Sequence, residues 1–264
     1  MIEKLEYFKD PNFVFNEEAH SYIYKDSNTG KPIQIFEPVS GFVGQFHPPE
    51  NWDQIAGFSA KKRGLTKEEV LNEWAQTAKE GTDLGSWVHK WIEDYYNGLN
   101  PQIPKLDIPN SQIDPMGTMA ERQVDRILKF QEIYDNRLYK LNAVGQEIRL
   151  FSRRWGIAGT LDALFELNGK YYVGDWKTNK KFTTNKDTNK FTKKMLAPFN
   201  DLWDNSLNGY SIQISTYRLM LEEAGFQTED GFLIWLGPKN PELHKALDLR
   251  SRIREFLDEN NFVF

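Results

Sequence analysis

Asn168-Gly169 lies between two runs that alternate apolar and polar residues, Gly159 to Leu167 and Lys170 to Lys177, and it constrains the fold more than any other feature of the chain. Both central residues of a type I′ turn need positive φ, which Asn and Gly tolerate best, so the dipeptide predicts a two-residue β-hairpin. If the loop closes on two residues, Leu167 faces Lys170, and counting back without a bulge sets Asp162 opposite Asp175 and Thr160 opposite Lys177. Opposed residues share a sheet face, with Cβ atoms roughly 5 Å apart. Two carboxylates that close repel unless a shared proton or a divalent metal lies between them. Lys177, two residues after Asp175, projects on the same face.

The 264 residues, 39% hydrophobic and 14% aromatic, can bury the core of one large domain or of a domain with an appendage. The chain has no cysteine, which excludes disulfides, thiolate zinc sites, iron–sulfur clusters and a cysteine nucleophile together. Any metal must therefore be held by oxygen and imidazole. Met1 to Glu6 lack the apolar core of a signal peptide, and no run approaches the roughly 20 apolar residues of a membrane span. The expectation is a soluble protein of the cytoplasm, with no membrane partner. A net charge of −5 counts against DNA as a ligand unless local basic patches and metal ions meet it.

Along the chain, Phe13, Phe15, Tyr22, Tyr24, Ile33 and Ile35 alternate with polar residues around Asn28-Thr29-Gly30 and predict a small N-terminal β-meander that packs as an appendage. Helical spacing from Trp52 to Tyr96 predicts three helices, one N-capped near Thr66 and another near Thr82. An irregular crossing marked by Pro101, Pro104, Pro109 and Pro115 leads to a long amphipathic helix from Met119 to Leu138. Strands follow at about 143 to 151, 155 to 167 and 170 to 177, and then a Lys/Thr/Asn stretch, Thr178 to Lys194, that reads as a mobile loop with too few apolar residues to pack. A helix from Ser206 to Ala224, a strand from Gly231 to Leu236 and a last helix ending near Phe264 complete the order, and no internal repeat is found. The fold expected is α/β, a short mixed central sheet flanked by helices, divided at residues 1–80 for the meander and helical appendage and 81–264 for the core.

Paired strand carboxylates are often only a solvated sheet face. Here Asp-x-Lys at a strand end, opposite a second Asp preceded by Gly159, fits metal-assisted phosphodiester hydrolysis. Asp162 and Asp175 would hold the ion, and the Lys177 ammonium would orient or deprotonate the attacking water and stabilise transition-state charge. Trp176, on the other face, reads as ordinary core. Glu147, on the preceding strand, is either a surface residue or a third carboxylate that allows a second ion or a better-held first one. His89 stands off the apolar stripe of Leu84, Val88, Trp91, Ile92 and Tyr95, with Gly85 one turn before it to permit close approach. A single helical histidine is more often a surface or cap residue than a ligand, and His20, His47 and His244 have no comparable setting. Gln213 and Tyr217 share a helix face with Tyr210 and Ile214, which suits either a structural hydrogen bond or a contact to phosphate or water. Lys180, Lys181, Lys186, Lys190, Lys193 and Lys194, with Phe182 and Phe191 among them, form either a solvated loop or a phosphate-tracking, base-stacking segment that Arg149, Arg153 and Arg154 extend. The position beside the carboxylates favours the second.

The ordered set Gly85-x-x-x-His89, Glu147, Gly159-x-x-Asp162, Asp175-x-Lys177 and Gln213-x-x-x-Tyr217 resembles the RecB-type branch of the PD-(D/E)xK nuclease superfamily, over about residues 81 to 225. The N-terminal strands and helices are similar in character to phage-encoded exonucleases of that branch. The resemblance implies a restriction-endonuclease-like core and a metal-dependent deoxyribonuclease, an exonuclease of linear or single-stranded DNA in replication, recombination or repair. It implies His89, Glu147, Asp162, Asp175 and the carbonyl of Trp176 as ligands of Mg²⁺ or Mn²⁺, Lys177 as the catalytic lysine, and Gln213 and Tyr217 as the substrate-positioning pair. The expected setting is a bacterial or phage-infected cell, with a recombination or replication protein as a further partner. A structure-specific endonuclease and a non-cleaving DNA-binding module are the alternatives. Leu161 stands where the family has its eponymous proline, the cysteine-free chain lacks the iron–sulfur cluster of some relatives, and no G-x-x-x-x-G-K-[ST] loop marks a fused helicase motor.

Overall fold

The computed structural model describes residues 3–16, 19 and 21–260. The hairpin forms as its turn chemistry requires. Strands β5 (Ile157–Leu167) and β6 (Lys170–Lys177) pair antiparallel with Leu167 opposite Lys170, and Asn168 and Gly169 take φ of 54° and 78°. The register runs unshifted to Ala163 opposite Gly174, and there the ladder ends.

β4 (Asn142–Ser152) pairs antiparallel along one whole edge of β5, from Asn142 opposite Glu166 to Ser152 opposite Ile157. The other edge is shared. β3 (Pro32–Pro38) meets its first residues in parallel, Glu37 opposite Ile157 and Pro38 opposite Ala158, and β6 takes its last ones. Residues 159–162 of β5 therefore have no strand on that edge among the described residues. The meander of β1 (Phe13–Asn16), β2 (Ser21–Lys25) and β3 is continuous with the main sheet through that parallel contact. Beyond β6 lie β7 (Thr228–Trp235), parallel to it, and β8 (Glu242–Lys245), antiparallel to β7, which completes a mixed sheet of eight strands.

Helices cover both faces, as the α/β expectation holds. On one, α1 (Val39–Gly44), α5 (Ser206–Glu223) and α6 (Arg250–Glu259) press Phe42, Ile212, Ile214 and Ile253 into a core with Leu161, Leu164, Val173 and Leu233. On the other, α3 (Lys67–Tyr96) and α4 (Met119–Ile133) pack Val88, Trp91, Ile92, Ile127 and Phe130 against Ala163, Phe165, Trp176 and Ile234. Each Val, Leu, Ile or Phe among them, fully removed from water, contributes roughly 1.5–3 kcal/mol. Among the described residues no helix is long and apolar enough to cross a membrane.

Several elements depart from expectation for identifiable reasons. Trp52 to Tyr96 forms two helices rather than three, α2 (Trp52–Arg63) and the 30-residue α3. Thr66 caps α3 with a reciprocal Glu69 bond, whereas Thr82 lies inside it and donates its hydroxyl to Ala78 O at 3.1 Å. A threonine satisfied by the preceding turn has no need to start a helix. The stretch after Lys177 is irregular but packed: Phe182 is buried against His244, ring centroids 4.6 Å apart, and Leu207 N–H donates to Thr183 O at 2.9 Å. β8 was not anticipated, and the helix end expected at Phe264 lies outside the described residues, as does His20.

Candidate active site

The site forms where β5 and β6 part. Asp162 and Asp175 are the next pair in register after Ala163 and Gly174, but no ladder bond joins them. Two side chains take the place of the missing strand. Asp162 Oδ2 accepts the Trp176 N–H at 2.9 Å, and His89, from α3, donates its Nε2–H to Trp176 O at 3.1 Å. A backbone carbonyl can only accept, so that bond assigns the Nε2 proton. The other ring nitrogen, Nδ1, then faces Glu147 Oε1 at 3.3 Å and Asp162 Oδ2 at 3.7 Å. Burial alone would lower the His89 pKa, but the charges of Asp162 and Glu147 outweigh it and hold it up at about 9.

Glu147 reaches this cluster by leaving its own ladder. Its neighbours Gln146 and Ile148 pair with Ala163 and Leu161, while Glu147 itself takes φ of 49°, a left-handed conformation for a residue with a Cβ. Such backbone costs about 1–3 kcal/mol and persists where the surroundings enforce it, most often at functional sites. One ligand atom from each of His89, Glu147 and Asp162 lies within 4.8 Å of the others.

Asp175 is fully buried, and neither carboxylate oxygen accepts a directed hydrogen bond. Its charge partner is Lys177, whose Nζ is 2.6 Å from Asp175 Oδ2. Burial first, and the Asp162 carboxylate next, push the Asp175 pKa up to about 7 against the pull of Lys177. For Lys177 burial acts downward, and Asp175 and Asp162 override it to raise the pKa to about 12. The ammonium also lies 4.2 Å over the Tyr210 ring and donates to Gln213 Oε1 at 3.3 Å, and Gln213 Nε2–H donates to the Tyr217 hydroxyl at 3.3 Å. Burial keeps that hydroxyl well above its usual range, hence protonated. Tyr217 lies directly on Gly159, where a Cβ would stand 2.9 Å from its ring, so the strand glycine admits the helix side chain.

Three oxygen or imidazole ligand atoms converging, beside a buried carboxylate with unused acceptor capacity, suit a hard divalent cation. His89, Glu147 and Asp162 form the converging group, Asp175 stands next to it bound to Lys177, and Trp176 O is engaged by His89. Trp176 is also core, its indole edge-on to Phe130 at 5.4 Å.

The basic residues are more dispersed than one patch would require. Arg149 lines the same cleft of about 590 Å³ as His89 and Glu147, with its guanidinium 5.1 Å over Phe15. Arg153 stacks over Tyr24 at 4.3 Å, and Arg154 pairs with Asp258 at 2.8 Å, beyond the far end of β4. Lys193 binds Glu50 at 2.7 Å, and Lys194 donates to Asp201 O at 2.7 Å and covers Trp203 at 3.8 Å. Lys180, Lys181 and Lys186 are exposed, and Lys190 lies over Phe191, itself 78% exposed. Tyr210 gains a contact to Lys177 that its place on the helix face alone did not assign. His47 pairs with Asp204 at 2.6 Å, a contact across 157 residues that has no local sequence signal.

The model of the PD-(D/E)XK nuclease superfamily matches residues 60–260. Among solved structures the chain is similar to a crystal structure of a candidate exonuclease from Eubacterium rectale, with 14% identity and a TM-score of 0.41. The match covers 69% of this chain and 64% of that one, so the chain spans less than two thirds of that protein's length. No curated protein matches the sequence.

Proposed function

Because the chain belongs to the PD-(D/E)XK nuclease superfamily, we propose that it is a metal-dependent exonuclease that hydrolyses phosphodiester bonds of linear or single-stranded DNA in replication, recombination or repair. The observation that carries this reading is the buried Asp175–Lys177 pair beside the converging His89, Glu147 and Asp162. That donor set would hold Mg²⁺ or Mn²⁺, and an ion there supplies charge neutralisation at the phosphate and a more acidic water. Imidazole among the ligands tilts the preference towards Mn²⁺.

The chain's own groups divide the remaining work. Lys177, kept as an ammonium by Asp175 and Asp162, has no free lone pair and so orients the attacking water and stabilises charge on the phosphorane-like transition state. Gln213 accepts from the Lys177 ammonium while its own Nε2–H donates to the Tyr217 hydroxyl behind it, and the Tyr210 ring lies against the ammonium, which together fix where the charge is delivered. Asp162 sets the spacing of the two strand ends through the Trp176 N–H. Arg149 is placed to meet the phosphates that flank the scissile one.

The test is cleavage of end-labelled linear duplex, single strand and covalently closed circle with Mg²⁺, Mn²⁺ or EDTA, beside Lys177→Ala. Metal-dependent loss of linear or single-stranded DNA, with circles spared and the variant slower by about 10²-fold, is expected. Cut circles would replace the exonuclease with an endonuclease, and DNA bound but intact throughout would leave a binding module.

A further inference from the structure

The residues that hold Lys177 also line a second cavity, which the hydrolytic chemistry does not use. Gln213 and Tyr210 form one wall of a pocket of about 390 Å³, and Val43, His47, Asp204 and Ser206 form others. Ser40 borders both this pocket and the cleft of about 370 Å³ that holds Glu147, Arg149 and Tyr217. The cavity thus adjoins the reactive groups on two sides. Its volume falls within the range of small-molecule sites.

Its wall beside Gly209 is built on a hydrogen-bonded pair. His47 Nδ1–H donates to Asp204 Oδ1 at 2.6 Å, tying the end of α1 to the start of α5. The bond fixes the ring, and its Cε1–Nε2 edge lies along Gly209, where a Cβ would come within 3.1 Å of it. Behind the pair, Leu196 N–H donates to Phe46 O at 2.8 Å and Phe46 packs edge-on to Phe199 at 4.8 Å. A strand entering from the reactive cluster meets the His47–Asp204 pair there.

The lining selects the occupant. Neither Lys177 nor Arg149 lines the recess, and the His47 ring is paired with the Asp204 carboxylate, so a phosphate gains little in it. Val43 and Tyr210 offer apolar surface, while Ser40, Ser206 and the His47 Nε2 edge offer hydrogen bonds at the rim. A flat apolar body with a polar edge is the chemistry of a nucleobase. We propose that the recess takes the terminal nucleoside, base and sugar, of the strand whose adjoining phosphate lies at Lys177. This rests on the nuclease reading and deepens it: a site for a terminal nucleoside makes the enzyme release single nucleotides from ends, because an internal nucleotide carries chain on both sides.

The first measurement is histidine side-chain NMR of the metal-free protein, with the His47 signal assigned from His47→Phe, titrated with deoxyadenosine 5′-monophosphate, deoxyribose 5-phosphate and inorganic phosphate. A saturable shift of His47 with the nucleotide, and little with the two base-free probes, is expected. The second is cleavage by His47→Phe, where the lost hydrogen bond should lower kcat/KM on linear DNA roughly tenfold through KM, leaving kcat near wild type. A His47 signal unmoved by the nucleotide, or moved equally by inorganic phosphate, overturns the proposal, as does an unchanged kcat/KM for both His47→Phe and His47→Trp. A wild type that cuts no DNA while the nucleotide still shifts His47 would remove the nuclease reading and leave a nucleoside site.

Discussion

The two ends of the β5–β6 hairpin are made of the same strands and obey opposite rules. At the turn the backbone pairs with itself, Asn168 and Gly169 take the φ values their residue types favour, and the flanking Leu167 and Lys170 are in register. At the other end the ladder stops, side chains serve the backbone groups of Trp176, and buried charges crowd together. One end is locally consistent, so it specifies the fold. The other is locally unfavourable and is sustained by its surroundings, and that is where preorganised charge becomes available for chemistry.

Substitutions at the two ends should therefore separate activity from stability. Asp175→Asn should lower cleavage by about 10³-fold or more by removing an anionic group from the reactive cluster. At pH 6, below the Asp175 pKa of about 7, the amide imitates the protonated acid, so melting of the metal-free protein should change little. A large drop in Tm would mean that the carboxylate holds the fold together and would break the contrast. Lys177→Ala should cost less, about 10²-fold in kcat, with metal binding retained in a titration followed by calorimetry. Equal cleavage by wild type and this variant would contradict the assigned role.

At the turn, Gly169→Ala forces a Cβ into positive φ and should cost about 1 kcal/mol, or roughly 2–4 °C in Tm, with cleavage per folded molecule unchanged. Thermal melting of the metal-free protein against pH sharpens the same comparison. Asp175 and His89 both bind protons more tightly when folded, so their contributions to stability fall as pH rises. The Asp175 contribution is lost between its ordinary 3.8 and about 7, and the His89 contribution, complete below 6.5, is lost as pH climbs through about 9. A divalent ion should flatten the upper part by replacing the His89 proton, and a slope indifferent to metal would separate His89 from the ion. The smallest effect is expected from neutralising Lys180, Lys181 and Lys186, which should reduce the salt slope of DNA binding by about 0.9 per lost phosphate contact.

What could be read from the residues follows the same division. The hairpin, its register as far as Ala163 and Gly174, and the cap at Thr66 depend on neighbours in sequence, and they form as expected. His89 and Glu147 belong to one pattern only through spacing across 58 residues, and nothing local foretells that Glu147 must adopt a left-handed backbone to arrive. Thr82 misled because its hydroxyl can satisfy the preceding turn as easily as it can cap. The stretch after Lys177 looked too polar to pack, yet Phe182 finds Tyr210, Trp235 and His244, contributed by later elements. The His47–Asp204 pair had no signal at all, since it depends on the meeting of α1 and α5.

Trp176 joins these two worlds through a single peptide unit. Its N–H and C=O face Asp162 and His89, while its indole is wedged edge-on to Phe130 in the core beneath α4. The geometry of the cluster around Asp162 and His89 can therefore be adjusted from the inside, by exchanging Phe130 for a slightly different shape, without altering any charged group of the site. Site geometry and core packing are linked at that residue, so a change in either one is felt by the other.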